Sequence, residues 1–194
     1  MDNITYNDVK EARETYMHLN KEYWQTHEVW HGHWWFLVLS SLATLVIWWI
    51  FADKDKSRFP HIFCYGLLCS LASFSLDTTG VLMNFWAYPH KVLFMIPSSV
   101  PADLVVIPVS GMLIFQYFPR WKAFIPAAIA LSAIFSFIIE PSFIKFDLFM
   151  LIKWRHTYSF IGFILLFTAL KGILQLIWRQ LRNGDSKKSD VPRL

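Results

Sequence analysis

Residues 77–103 read DTTGVLMNFWAYPHKVLFMIPSSVPAD, and this stretch decides the fold. An aspartate stands at each end, three prolines lie between them, and long apolar runs flank the stretch on both sides. Proline lacks a backbone N–H donor and interrupts helices. Irregular backbone at membrane depth persists only where protein or a water-lined cavity covers it. We therefore expect a polar site here, between the helices of a membrane protein.

The composition of the whole chain supports a membrane location. Of its 194 residues 55% are hydrophobic and only 16% are charged, against about 25% in soluble domains. The net charge is +4, with the basic residues concentrated in short loops and in the C-terminal tail. That distribution favours the positive-inside rule over nucleic-acid binding, which needs a basic patch on a folded surface. We expect membrane lipid, and no nucleic acid, as a partner.

The apolar runs predict an all-α, polytopic membrane helical bundle of about five transmembrane helices. A span needs about 20 apolar residues, and tryptophans mark both ends of the first run, as interfacial aromatic belts do. The fourth span should end at Glu140-Pro141, and Lys171 in the fifth should snorkel towards the basic end. The predicted spans cover residues 34–51, 61–80, 103–118, 123–139 and 157–178.

The remaining segments complete the predicted domain organisation. Residues 1–33 have helical apolar spacing and predict an amphipathic N-terminal helix, with Thr5 and Asp8 as a capping box. Residues 34–178 form the transmembrane bundle, and the polar tail 179–194 has a composition typical of disorder. The apolar pieces 91–100 and 142–154 are too short to span and favour re-entrant or interfacial segments. If either crossed, the bundle would have six spans.

The distribution of lysine and arginine predicts the orientation in the cell membrane. With five spans and the N-terminus outside, ten of these residues lie in inner segments and seven in outer ones. The positive-inside rule then favours an outer N-terminus and a cytoplasmic C-terminus.

The same helix order brings the unusual polar residues to one side of the membrane. Asp77 ends the second span, Asp103 begins the third, Glu140 ends the fourth and His156 precedes the fifth. Charged groups in a bilayer cost roughly 2.5–3.5 kcal/mol and usually face a cavity or a partner. One of several carboxyl groups in a low-dielectric pocket is favoured in its protonated form and would serve as a general acid. Alternatively these residues cap helix ends, as Asp103 would at a helix N-terminus.

Three aromatic residues between the two aspartates suggest an apolar pocket. Phe85, Trp86 and Tyr88 would line a site for a lipid or polyene. Aromatic residues also collect at membrane interfaces as anchors, so interfacial anchoring is the alternative.

A second motif, HEVWH, covers residues 27–31. On a helix, H-E-x-x-H places His27 and His31 one turn apart on one face, with Glu28 as a general base. Zinc would need a third protein ligand and an open position for water. The candidates predicted on the same side of the membrane are His33, Asp77, Glu140 and His156. The alternative is that these are interfacial histidines.

Several short motifs lie along the chain between residues 24 and 160. They are Ala52-Asp53-Lys54, residues 77–80, Phe85-Trp86-Ala87-Tyr88, Ile96-Pro97 with Asp103, Ile107-Pro108, residues 115–118 before Trp121-Lys122, Glu140-Pro141, and Trp154 with Tyr158-Ser159. In these features the chain resembles the small uncharacterised multi-pass membrane proteins of Gram-positive spore-forming bacteria. The resemblance covers about residues 24–160 and implies a helical membrane bundle without implying an established activity.

The region around Asp77 is also similar to small helical membrane cyclases of the carotenoid and meroterpenoid type. Those enzymes carry acidic residues at helix ends near Trp-x-Tyr-like segments, as Asp77 stands near residues 86–88 here. This likeness implies protonation of an isoprenoid by Asp77, Asp103 or Glu140, with aromatic rings stabilising a carbocation. The sequence thus leaves three hypotheses: a membrane protein with an acidic and aromatic pocket on the extracytoplasmic side, an enzyme that modifies lipids or isoprenoids, and a metal-dependent membrane protein.

Overall fold

The computed structural model describes residues 4–189 and is an all-α membrane helical bundle. Four helices, with bounds Gly32–Phe51, Phe59–Leu82, Trp121–Lys145 and His156–Gln180, are long and apolar enough to cross a membrane. A fifth apolar helix, Ala102–Tyr117, is shorter. It consists of a 5-residue first turn and an 11-residue helix, which together are about 24 Å long at ~1.5 Å per residue. The hydrocarbon core of a bilayer is ~30 Å thick, so this helix is shorter than a usual span.

The α-helices and short strands follow one another in a simple order. The helices are α1 (Tyr6–Tyr23), α2 (Gly32–Phe51), α3 (Phe59–Leu82), α4 (Ile107–Tyr117), α5 (Trp121–Ile134), α6 (Glu140–Lys145) and α7 (His156–Ser189). Wider π-helical turns precede α4 (Ala102–Val106) and α6 (Phe135–Ile139), and a third, Trp24–Glu28, follows α1. Two short antiparallel strands, β1 (Trp86–Ala87) and β2 (Met150–Leu151), pair with Trp86 opposite Leu151.

The core of the bundle lies between α3, α4, α5 and α7. Tyr65, Phe124 and Phe167 are completely buried there, and the Tyr65 hydroxyl donates to the Phe167 carbonyl at 2.8 Å. Helix α2 lies outside this core, with only Leu37 buried, and packs on α4 and the turn before it. Apolar side chains cover the outer surfaces of the helices, as expected for lipid-facing positions.

The predicted end of the fourth span at Glu140-Pro141 is wrong, because the helix runs on to Lys145. In the π-helical turn the backbone N–H of Glu140 donates to the carbonyl of Phe135, five residues earlier. Pro141 follows directly after this turn, where the regular i→i−4 hydrogen-bond pattern is already interrupted. The proline therefore continues the helix instead of ending it.

The stretch that follows α3 is largely irregular, as predicted, but it begins later than expected. Helix α3 includes Asp77 and Gly80 and ends at Leu82. Residues 83–101, which we call the covering loop, contain β1 and no membrane-length helix. Residues 142–154 hold the end of α6 and β2, so neither of the two short apolar pieces forms a crossing helix.

Lys171 extends towards the basic turn between α4 and α5, which is the predicted direction, but its side chain is completely buried and does not reach the surface. Its ammonium group donates to the carbonyls of Phe118 at 3.1 Å and Pro119 at 3.0 Å, in the turn between α4 and α5. It also lies 3.8 Å from the centre of the Phe124 ring, a cation–π contact. Backbone carbonyls and aromatic faces thus replace water around this charge.

The two terminal segments differ from the predicted domains. Thr5 and Asp8 form the expected capping box, but the helix predicted over 1–33 stops at Glu28, and His31 precedes a new helix. At the other end α7 continues to Ser189, so residues 179–189 are helical where an irregular tail was predicted. The rest of that predicted tail, 190–194, lies outside the described residues.

Candidate functional site

A partly open cavity of about 220 Å³ lies where α3 ends and α4 and α7 begin. All three candidate acids, Asp77, Asp103 and Glu140, line it. The order of the helices predicted this meeting, and the structure brings the three side chains to one cavity. Most of the wall is apolar, with contributions from Leu37, Leu76, Ile107, Phe135, Phe143, Phe149, Phe163 and Leu166.

Asp77 accepts more hydrogen bonds than either of the other two acids. Its Oδ1 accepts hydrogen bonds from Trp86 Nε1 at 2.6 Å and from the Tyr88 hydroxyl at 2.8 Å. Its Oδ2 accepts from the backbone N–H of Ser99 at 3.0 Å. All three donors belong to the covering loop, so this single carboxylate holds the loop against the end of α3. Only 8% of Asp77 is exposed.

Asp103 lies beside Asp77, and its side chain interacts with those of Asp77 and Ser98. It is 2% exposed, and its Oδ2 is buried with no hydrogen-bond partner among the described residues. Ser99 links the two acids, since its N–H binds Asp77 and its carbonyl accepts the N–H of Asp103 at 2.9 Å. A buried carboxyl oxygen without a partner is rare and costly in a folded protein. Asp103 is therefore the acid with unused hydrogen-bonding capacity.

Glu140 faces the cavity from α6 and is paired with His156 at the start of α7. His156 Nδ1 lies 2.7 Å from Glu140 Oε2. Trp154 and Ser159 line the same region, and the Trp154 indole N–H donates to the Ser159 hydroxyl at 3.0 Å. The sequence predicted that His156 lies on the same side of the membrane as the three acids, but it did not predict that Trp154 lines the pocket. The signals for Trp154 were its place in a short apolar piece before the last span and its place beside Tyr158-Ser159 among the features of the family resemblance.

Two of the three predicted pocket aromatics line the cavity, and the third does not. Trp86 and Tyr88 are wall residues, whereas Phe85 is not among them. The Phe85 ring stacks on Trp154, with centroids 5.5 Å apart, and its carbonyl accepts two backbone N–H groups from residues 152–153. Phe85 therefore supports the wall from behind.

Gly80 allows the Trp86 ring to lie directly against α3. A Cβ atom at Gly80 would overlap Cζ2 and Cη2 of Trp86. This close approach brings the Trp86 indole N–H to Asp77 and places the ring in the cavity wall. The glycine is thus needed for space and not for an unusual backbone angle, because its φ is negative.

The helical geometry assumed for H-E-x-x-H is wrong, because the motif is not helical throughout. The π-helical turn ends at Glu28, Val29 is extended and Trp30 has a positive φ of 67°. His27 and His31 therefore do not lie one helical turn apart. Within residues 4–180, no group of three or more His, Cys, Asp or Glu side chains is arranged to hold a metal ion.

Glu28 instead ties the N-terminal segment to the covering loop. It is 1% exposed, and its Oε2 accepts the backbone N–H of Lys91 at 2.7 Å. The Trp24 indole N–H donates to the Lys91 carbonyl at 3.0 Å, and that of Trp34 to the Val92 carbonyl at 3.2 Å. Burial raises the pKa of Glu28, and the Lys91 N–H and charge oppose that shift. The loop is consequently held from two sides, by Asp77 inside and by these residues outside.

No family model, curated protein or solved structure matches this chain.

Proposed function

We propose that this integral membrane protein binds one apolar chain, of a lipid or an isoprenoid, in the cavity beside Asp77, Asp103 and Glu140. The observation that carries the proposal is an apolar cavity, within a membrane bundle, whose wall includes carboxyl groups and aromatic rings. Its volume of about 220 Å³ is below the ~300–1,000 Å³ of pockets for drug-sized ligands. That size favours a single short chain over a whole phospholipid.

The surface residues of the cavity indicate how such a molecule would reach it. Leu76 on α3 and Gly162 on α7 both line the cavity and are also exposed on the outside of the bundle. Leu76 is 63% exposed. Both belong to membrane-length helices, so the cavity opens towards the lipid. A ligand dissolved in the bilayer would enter there without passing through water.

The orientation proposed for the bundle places this cavity on the extracytoplasmic side of the cell membrane. The α2–α3 loop, the α4–α5 turn and the tail carry ten lysines and arginines, and the opposite segments carry seven. By the positive-inside rule the N-terminus is then outside and the C-terminus in the cytoplasm.

The experiment uses two glycines of the same helix. A Cβ atom at Gly162 or at Gly172 would meet no atom within 4 Å, and only Gly162 lines the cavity. Leucine at Gly162 would extend into the space that the ligand needs, while leucine at Gly172 is the matched control. Binding of farnesol, a 15-carbon isoprenoid alcohol, is measured by native mass spectrometry of the detergent-purified protein.

We expect Gly162→Leu to weaken farnesol binding at least tenfold and Gly172→Leu to leave it within twofold of the unmodified protein. Equal binding by both variants, or no farnesol binding by the unmodified protein, would contradict the proposed site. Thermal unfolding of both variants serves as the check that each is folded.

A second candidate function is acid-catalysed cyclisation of an isoprenoid, favoured by the contrast between the two aspartates. Asp77 has three hydrogen-bond donors, whereas Asp103 Oδ2 has none among the described residues. A protonated Asp103 would transfer its proton to a C=C bond, and a second C=C bond would attack the cation to form a ring. Loss of a proton from a neighbouring carbon to the carboxylate restores the acid, so no oxidant or reductant is needed.

In this reaction the Trp86, Tyr88 and Trp154 rings would stabilise the cation. Purified protein is incubated with a linear polyene, and the products are separated by gas chromatography. Ring formation that is lost in Asp103→Asn would support catalysis. A polyene that binds and is recovered unchanged would leave binding as the function.

A further inference from the structure

We infer that the polar end of the bound molecule is a hydrogen-bond donor, a hydroxyl or an ammonium group, that binds Asp103, and that phosphorylated chains are rejected. This inference rests on the proposed function, because it names the class of ligand for the same cavity. It goes beyond an apolar chain by assigning the headgroup and the residue that recognises it.

The first argument is the unused hydrogen-bonding capacity of Asp103. Its side chain lines the cavity, is 98% buried, and has an Oδ2 atom without a partner in the described part of the chain. A buried acceptor in this state is stabilised by any ligand that brings an O–H or N–H group. The other two acids are already engaged, Asp77 by three donors and Glu140 by His156. Asp103 is therefore the acid left for a ligand.

The second argument is the sign of the charges around the cavity. Its wall holds three acidic residues and, within residues 4–180, no lysine or arginine. Phosphate recognition in proteins relies on arginine, lysine or a row of backbone N–H groups. The backbone N–H of Ser99, a wall residue of the cavity, is already bound to Asp77. A phosphate or diphosphate would meet like charges in a low-dielectric space and would gain no partner.

The test compares ligands with the same 15-carbon chain and different ends. Dissociation constants are measured by native mass spectrometry for farnesol, farnesylamine, farnesyl phosphate and the hydrocarbon farnesene. We expect the alcohol and the amine to bind at least tenfold more tightly than the phosphate and the hydrocarbon. The amine should bind most tightly, because an ammonium–carboxylate hydrogen bond is charge-assisted.

Two isosteric variants then locate the contact. Asp103→Asn removes the carboxylate from the cavity wall, while Asp147→Asn removes one from an exposed position that does not line it. Both variants change the net charge equally. We expect farnesylamine to bind at least tenfold more weakly to Asp103→Asn and within twofold of normal to Asp147→Asn. Thermal unfolding confirms that both proteins are folded.

The outcomes separate this inference from the function on which it rests. If farnesyl phosphate or farnesene binds as tightly as farnesol, the headgroup assignment is wrong and the apolar-chain site stands. If Asp103→Asn binds the amine normally, the recognising residue is wrong. If none of the four compounds binds the unmodified protein, both the proposed function and this inference fail.

Discussion

Replacing Gly80 with alanine should separate the cavity wall from α3. A Cβ atom at this position would overlap the rigid Trp86 ring, whose indole N–H donates to Asp77. The ring must therefore move, and the hydrogen bond from its indole N–H, 2.6 Å in length, is lost. A hydrogen bond to a charged group contributes about 1.5–3 kcal/mol. We expect this loss to lower the unfolding free energy by about that amount, offset in part by the higher helix propensity of alanine.

Gly66 provides the control, because it lies on the same helix and is also buried against a neighbouring side chain. A Cβ atom there would overlap Met112, but the flexible methionine side chain can adopt another rotamer. Both substitutions gain the same helix propensity, about 0.5–1 kcal/mol. The difference between their unfolding free energies therefore reports the effect of the rigid Trp86 ring alone. Unfolding is followed by far-ultraviolet circular dichroism during titration with sodium dodecyl sulfate in mixed micelles.

The expected difference is at least about 1 kcal/mol, with Gly80→Ala the less stable, on the hydrogen-bond value above. A double-mutant cycle with Trp86→Phe tests the cause. If the alanine acts through the Trp86 ring, its cost should shrink once that ring is smaller, because the two sites are coupled. Equal stability of the two alanine variants, or a cost at Gly80 that is unchanged by Trp86→Phe, would refute the reasoning.

Two further predictions concern the covering loop and the topology. Because burial raises the pKa of Glu28, the folded protein holds that proton more tightly than the unfolded chain, so ionising Glu28 reduces stability as the pH rises through the raised pKa. Glu28→Gln should therefore reduce the fall in melting temperature between pH 5 and 7.5. Glu22→Gln, at an exposed position, should not change that fall. If the melting temperature of both variants falls by the same amount over this pH range, there is no buried charge at this contact. For the topology, single cysteines at Lys56 and Lys145, in a chain without its two native cysteines, should react with an impermeant thiol reagent from opposite sides; reaction from the same side would show that α4 does not cross.

The helices were predictable because membrane spans depend on long apolar runs, which sequence records directly. Four of the five predicted spans correspond to membrane-length helices, and the meeting of Asp77, Asp103 and Glu140 follows from the order of those helices. The predicted helix bounds were wrong where local backbone geometry determines whether a helix ends or continues. Pro141 continues a helix because a π-helical turn precedes it, and no periodicity signals that turn.

The details of the site depend on contacts between distant residues, which a single sequence does not record. Nothing in the motif H-E-x-x-H showed that its glutamate would bind the N–H of Lys91, 63 residues away. The motif was predicted to be helical, and the positive φ of Trp30 breaks it. Likewise, Phe85 and Trp86 are neighbours in sequence, yet only Trp86 lines the cavity, because Phe85 lies just before β1 and its ring stacks on Trp154.

The burial of Lys171 has a consequence for how the bundle responds to membrane voltage. Its ammonium group binds the carbonyls just beyond the end of α4, and Asp103 lies in the turn that begins the same helix, about 24 Å away at ~1.5 Å per residue. In the proposed orientation, with the N-terminus outside, an inside-negative potential attracts the ammonium inwards, and it attracts Asp103 outwards whenever that carboxyl group is ionised. Each charge contributes up to about 2.3 kcal/mol per 100 mV if it senses the full field. A membrane potential would thus hold α4 and α7 in the proposed orientation and oppose their inversion.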